Sequence, residues 1–142
     1  MPLVFYWEKE ELCKYAEEIG AKLRFQKFIS VNDGNGEFVY IYRWIIDNRC
    51  PFWRNNKCII HPNKPLSCKI FPLVVRIPSP GILVSSKCRW VRENSEHIAP
   101  EKIPSIFDEF SPAVKMLAML QKFLEIASKN GWEITIFDSQ NS

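Results

Sequence analysis

NDGNGEFVYIYRWII, residues 32–46, begins as a turn and runs directly into a strand. Gly and Asn in NDGNG tolerate the left-handed backbone that a tight turn demands. The ten residues that follow, EFVYIYRWII (37–46), are rich in β-branched and aromatic side chains, the composition of a strand. That strand is apolar on both faces, so each face must be buried or covered by a partner. The residues on either side have to supply the cover.

Towards the N-terminus, Leu12, Tyr15, Ala16, Ile19 and Leu23 recur at helical spacing, and residues 8–19 read as a helix. Glu8, Glu10 and Glu11 suit its positive N-terminal end, and Gly20 is placed to stop it. A second short helix is expected over residues 23–29. Towards the C-terminus, residues 48–71 hold too much Pro, Asn and Cys for regular structure and read as an irregular loop that something must hold in place. LVVRI and ILVSS, on either side of a Pro-rich turn, form a hairpin over residues 73–86, and residues 93–106 connect it onward. Ser111 and Pro112 are an N-cap and first helical position for residues 112–129, with Ala113, Leu117, Leu120, Phe123, Leu124 and Ala127 as one apolar stripe. Asn130-Gly131 ends that helix, and residues 132–137 read as a last strand. The expected architecture is a small single α+β domain over residues 1–142, with helices packed on a short antiparallel sheet and the metal core within residues 48–90.

A chain of 142 residues suits one core, and 46% hydrophobic with 13% aromatic residues argues against disorder. No apolar run reaches the ~18 residues of a membrane-spanning helix. The N-terminus lacks a basic leader and turns acidic at once, which points to the cytoplasm. There thiols stay reduced, and clustered cysteines serve as metal ligands or redox groups. Hyperthermophile proteins are the exception, since they carry disulfides inside the cell.

Four of the five cysteines are spaced Cys50-x7-Cys58-x9-Cys68-x19-Cys88. Four thiolates are what a tetrahedral Zn2+ or a cubane 4Fe–4S cluster needs, because both take soft sulfur donors. The surrounding loop has little apolar content, so a metal would stand in for a local core and bind as part of folding. Zinc ribbons and fingers use tight C-x2-4-C knuckles, which are missing here, and the long gaps tilt the choice slightly towards iron–sulfur. Buried apolar cysteines or disulfides are the plainer alternative. His61 is a substitute ligand, or a surface residue. Cys13 sits beside the stripe of the first helix as a small core-edge residue, with ligation the lesser option. His97 lies in a polar loop and takes no part.

Charge is concentrated in the same region. Residues 43–92 carry ten basic side chains against Asp47 alone, or +9, which leaves −6 for the rest of a chain of net +3. Such asymmetry suits an anionic partner or an anionic centre inside the segment. Lys57, Lys69, Lys87 and Arg89 adjoin cysteines and could offset the charge of a thiolate centre. Arg54, Lys57, Lys64, Lys69 and Arg89 are the candidate anion-binding residues. Trp44, Trp53 and Trp90 flank the region, as packing around the site in the plainer reading or as base-stacking platforms in the other.

CPFWRNNKCIIHPNKPLSCKIFP, residues 50–72, resembles the core of the YkgJ-like cysteine-cluster family, a zinc- or iron-chelating domain. Cys50, Pro51 and Phe52 match its first element. Cys58, Ile60 and His61 match the second, with His in place of Tyr. Lys64, Pro65, Cys68, Lys69, Phe71 and Pro72 match the third, with Lys for Arg twice. Family members open with a C-x-x-C-x-x-C-C cluster, whereas residues 1–11 here hold no cysteine. What the resemblance then implies is one four-ligand site, with Cys88 filling the position the motif leaves open.

Three function classes follow. The first is a metal-binding protein whose site has a structural or redox role. The second is a subunit of an iron–sulfur-dependent enzyme, which the resemblance permits because related domains occur in flagellin lysine methylases and in proteins labelled iron–sulfur oxidoreductases. The chain has no nucleotide loop and no Ser/His/Asp set, so catalysis by it alone is less favoured. The third is a nucleic-acid-binding module that uses the basic 43–92 segment with Tyr40, Tyr42, Trp44, Trp53 and Trp90. A protein or nucleic-acid partner would meet that basic face, and no membrane is involved.

Overall fold

A computed structural model describes residues 2–77 and 81–137. The fold is α+β, with short antiparallel sheets and helices. The chain divides into two compact units, one holding the residues up to Pro65 with those from Ile126 onward, the other Leu66–Glu125.

The first unit is built on a four-stranded antiparallel sheet in the order β1-β3-β2-β8, formed by β1 (Leu3–Phe5), β2 (Arg24–Asn32), β3 (Glu37–Ile45) and β8 (Glu133–Ile136). The strand expected over 37–46 is β3, at the sheet's interior, which accounts for apolar residues on both of its faces. The expected helix over 23–29 is instead strand β2. Its Phe25, Ile29 and Val31 pair along β3, from Phe25 opposite Trp44 to Asn32 opposite Glu37, with Phe28 at a shift of register. NDGNG joins the two as a hairpin, closed by Asn32 and Asp33 side chains that accept the N–H groups of Gly34 and Asn35, both at 2.8 Å.

Helix α1 (Tyr6–Glu18) starts where the acidic run begins, and the Glu8 carboxylate accepts the Phe5 N–H at 2.9 Å. Gly20, in the left-handed conformation at φ 69°, ends it as expected. Leu12 and Ala16 are buried with Val4, Phe5, Ile29, Ile41, Trp44 and Phe52. Cys13 is exposed rather than at the core edge, because burial of Leu12 and Ala16 turns the adjacent position outward. Arg43 is buried, its guanidinium 4.3 Å from the centre of the Phe28 ring and donating to the Phe137 carbonyl at 3.0 Å.

The second unit holds the expected hairpin as β6 (Leu73–Arg76) and β7 (Gly81–Val84), while its turn residues 78–80 lie outside the described residues. Leu73 opposite Val84 and Val75 opposite Ile82 place the apolar pairs on one face. The connecting loop expected over 93–106 is more regular than that, with short helices α3 (Arg89–Glu93) and α4 (Ile103–Ile106) and 3-10 turns at Ser95–His97 and Pro100–Lys102. Pro100 and Pro104 stand in first turns, where the missing N–H costs nothing. Helix α5 (Phe110–Lys129) starts ahead of the expected Ser111 cap, because Pro112 is tolerated inside the first turn. Ala113, Met116 and Leu120 are its fully buried positions through Glu125.

Among the described residues no helix is long and apolar enough to cross a membrane.

Candidate metal centre

The segment expected to be an irregular loop contains short ordered pieces, and the first of them positions two thiols. Strands β4 (Trp53–Arg54) and β5 (Lys57–Cys58) pair antiparallel, with Trp53 opposite Cys58 and Arg54 opposite Lys57. Asn55 and Asn56 make the two-residue turn, at φ 54° and 61°. Two successive left-handed residues are the signature of the type I′ hairpin turn, and Asn is among the few side chains that accept them. The ladder continues outward through the Ile59 N–H, which donates to the Phe52 carbonyl at 2.8 Å.

Cys50 lies at the foot of this hairpin. Its carbonyl accepts the Trp53 N–H at 3.0 Å, and the Arg54 side chain donates to the Pro51 carbonyl at 3.2 Å. Phe52, fully buried, anchors the turn against Trp44, with ring centres 5.9 Å apart. Folded this way, the Cys50 thiol lies near the backbone N–H groups of Phe52 and Trp53 and within electrostatic reach of Cys58. Burial pushes the Cys50 thiol above its ordinary range, the Cys58 thiol adds to that, and the two N–H donors oppose it. Two thiols on one hairpin suit a soft cation, whose charge would replace the missing compensation.

In the second unit, Cys68 occupies the middle of the short helix α2 (Leu66–Ile70), and Cys88 stands just ahead of α3, where its carbonyl accepts the Arg92 N–H at 3.1 Å. Both are half-buried. No disulfide joins any of the five cysteines, all of which fall among the described residues. Among the described residues no three or more His, Cys, Asp or Glu side chains are gathered as a set able to hold a metal. The structure thus places Cys50 and Cys58 on one hairpin of the first unit and Cys68 and Cys88 on the two short helical segments of the second.

The flanking residues have settled roles. His61 is exposed on a 3-10 turn (His61–Asn63). Arg54, Lys57 and Lys69 are exposed, Lys64 is half-buried, and Arg89 is bonded to Glu93 at 2.8 Å. Trp44 is core packing, whereas Trp53 and Trp90 are exposed, Trp90 lying edge-on to Phe107. Sequence reading missed the supporting parts of the Cys50 turn, namely the Trp53 N–H on the Cys50 carbonyl and the Phe52 anchor. The Asn55-Asn56 pair between Trp53 and Cys58 was the signal available for the hairpin.

No family model matches the chain, and neither a curated protein nor a solved structure was found to match it.

Proposed function

We propose that the chain is a metal-binding protein in which Cys50, Cys58, Cys68 and Cys88 are the donors to one centre, an iron–sulfur cluster or Zn2+. The observation that carries the reading is the hairpin that sets Cys50 at its foot and Cys58 on its second strand, the two thiols within electrostatic reach of each other. Two thiols leave a tetrahedral metal half-coordinated, and Cys68 and Cys88 complete the donor count by type and number. The resemblance of residues 50–72 to the YkgJ-like cysteine-cluster family supports the same donors. Iron–sulfur is slightly favoured, since the spacing holds no C-x2-4-C knuckle. The role is structural or redox, as a single-chain protein or as a subunit of an iron–sulfur enzyme. A nucleic-acid role is less supported, because Arg43 is buried and Arg89 is paired with Glu93, so the +9 of residues 43–92 overstates the charge offered to an anion.

Metal content and the visible spectrum, taken on protein purified without oxygen, test the reading. Iron with acid-labile sulfide and a broad band near ~400 nm would mark a cluster, and about one colourless zinc per chain would mark the zinc form. Protein that holds neither, even after reconstitution with each metal, would overturn the proposal.

A further inference from the structure

The first unit carries a second surface, made of residues with no part in the cysteine chemistry. Where β1 passes into α1, Phe5, Tyr6 and Trp7 meet Phe38 and Tyr40 of β3. Phe5 and Tyr40 are buried, while Tyr6, Trp7 and Phe38 remain 37, 40 and 45% exposed. Trp7 stacks on Phe5, with centroids 4.5 Å apart and planes within 6°, so a buried ring fixes an exposed one. Tyr6 stands at 86° to Trp7 and at 72° to Phe38, with centroids 5.0 Å apart in both pairs. Trp7 is at 65° to Tyr40. Near-perpendicular neighbours offer ring faces in different directions over one small area. Contiguous exposed aromatic surface of this kind marks recognition.

Charge decides what such a surface attracts. Glu10 lies four residues beyond Tyr6 and three beyond Trp7 on α1, the spacing that puts a carboxylate beside both rings. It is exposed and forms no ion pair among the described residues. Glu11 lies four beyond Trp7 and four before Tyr15 on the same helix. Glu37, next to Phe38, is held by Lys27 and Ser30. Of the two bases on the helix, Lys9 is spent elsewhere, its ammonium 4.3 Å from the centre of the Tyr42 ring and 5.5 Å from that of Phe25, and Lys14, four residues beyond Glu10, forms no ion pair with it. A nucleic acid would meet carboxylates here and be repelled. A cation would meet ring faces backed by negative charge, and Lys9 shows a cation seated on aromatic rings within the same unit.

We propose that Tyr6, Trp7, Phe38 and Glu10 form a binding surface for a methylated ammonium group, carried by a free quaternary amine or by a trimethylated lysine side chain. Methyl groups suit the rings, and the retained positive charge suits the ring quadrupoles and Glu10. A primary ammonium is more strongly hydrated and loses more on docking.

The experiment is a titration of the full chain followed by NMR and calorimetry, with choline, with its neutral isostere 3,3-dimethylbutan-1-ol, and with a short peptide bearing trimethyllysine. Choline or the peptide is expected to bind saturably and to shift the Trp7 indole resonance, with the isostere about tenfold weaker or worse. Tighter binding of the peptide assigns the group to a protein partner, and tighter binding of choline assigns it to a free amine. Trp7→Leu should weaken binding at least about tenfold. Because Trp7 stacks on buried Phe5, its exchange can unsettle β1, so Glu10→Gln at an exposed helix position provides the independent test and should weaken binding severalfold. An isostere as tight as choline, no effect of Glu10→Gln, or no binding of either cation would overturn the proposal.

Discussion

Cys50 illustrates how much of a site depends on residues that are not ligands. It is held in place because the Cys50–Trp53 turn is closed by the Trp53 N–H on the Cys50 carbonyl and Phe52 is buried against Trp44. Phe52→Ala should therefore cost about 3–5 kcal/mol, the usual range for a fully buried Phe, visible as a lower thermal midpoint, and should weaken metal retention with it. Cys50→Ser and Cys58→Ser are expected to abolish metal binding while exposed Cys13→Ser keeps it, checked by metal content per chain. A further prediction concerns acid stability. The bond from Lys27 favours the charged form of Glu37 and holds its carboxyl below the ordinary value of 4.5. The stabilising contribution is thus fully present above that value and is lost as pH falls through the lowered one. Glu37→Gln should flatten this acid limb of the unfolding curve, and an unchanged limb would count against the link. At this scale the cysteines and their spacing were legible, because thiols stand out in a sequence, and the variants above test whether they are ligands. The exposure of Cys13 was not, since it depends on which helix face finds the sheet.

Elements were legible where one periodicity dominated. Residues 37–46 read as a strand and formed β3, and Gly20 and Gly131 stopped the helices that they follow. The reading failed at residues 23–29 for a definable reason. The pairing of β2 with β3 shifts register around Ile29, so burial runs unbroken from Phe28 to Val31 and the alternation that announces a strand is lost. Phe25, Phe28 and Ile29 then fall at spacings that also fit a helix. Residues 48–71 failed in the opposite sense, because two-residue strands are too short for any periodic signal and only Asn55-Asn56 marked them. That turn makes its own prediction. Asn56→Gly relieves a left-handed residue and should stabilise the hairpin by a few tenths to about 1 kcal/mol. Asn56→Val should cost about 1–2 kcal/mol and impair metal binding, since Cys58 loses its pairing partner. Parallel melts and metal titrations of the two variants would check this, and equal behaviour would contradict it.

For the molecule as a whole, the α+β class followed from the mixture of strand and helix signals, while the division into two units left no mark in composition or linker chemistry. The concentration of positive charge in residues 43–92 was legible as a count. How much of it faces solvent was not, because burial of Arg43 and pairing of Arg89 arise only on folding. Under the proposed function, a metal held by the four cysteines would bind as part of folding. Loading at about a thousandfold excess over Kd should add ~4 kcal/mol. For a chain of this size that is a rise in Tm of about 10 °C, reversed by a chelator. The most direct measurement of the central claim is X-ray absorption at the edge of the bound metal. The account predicts a first shell of four sulfur atoms, whether around zinc or around each cluster iron, lost in the Cys50→Ser Cys58→Ser double variant. A shell of nitrogen and oxygen, or a sulfur shell that survives in that variant, would contradict it.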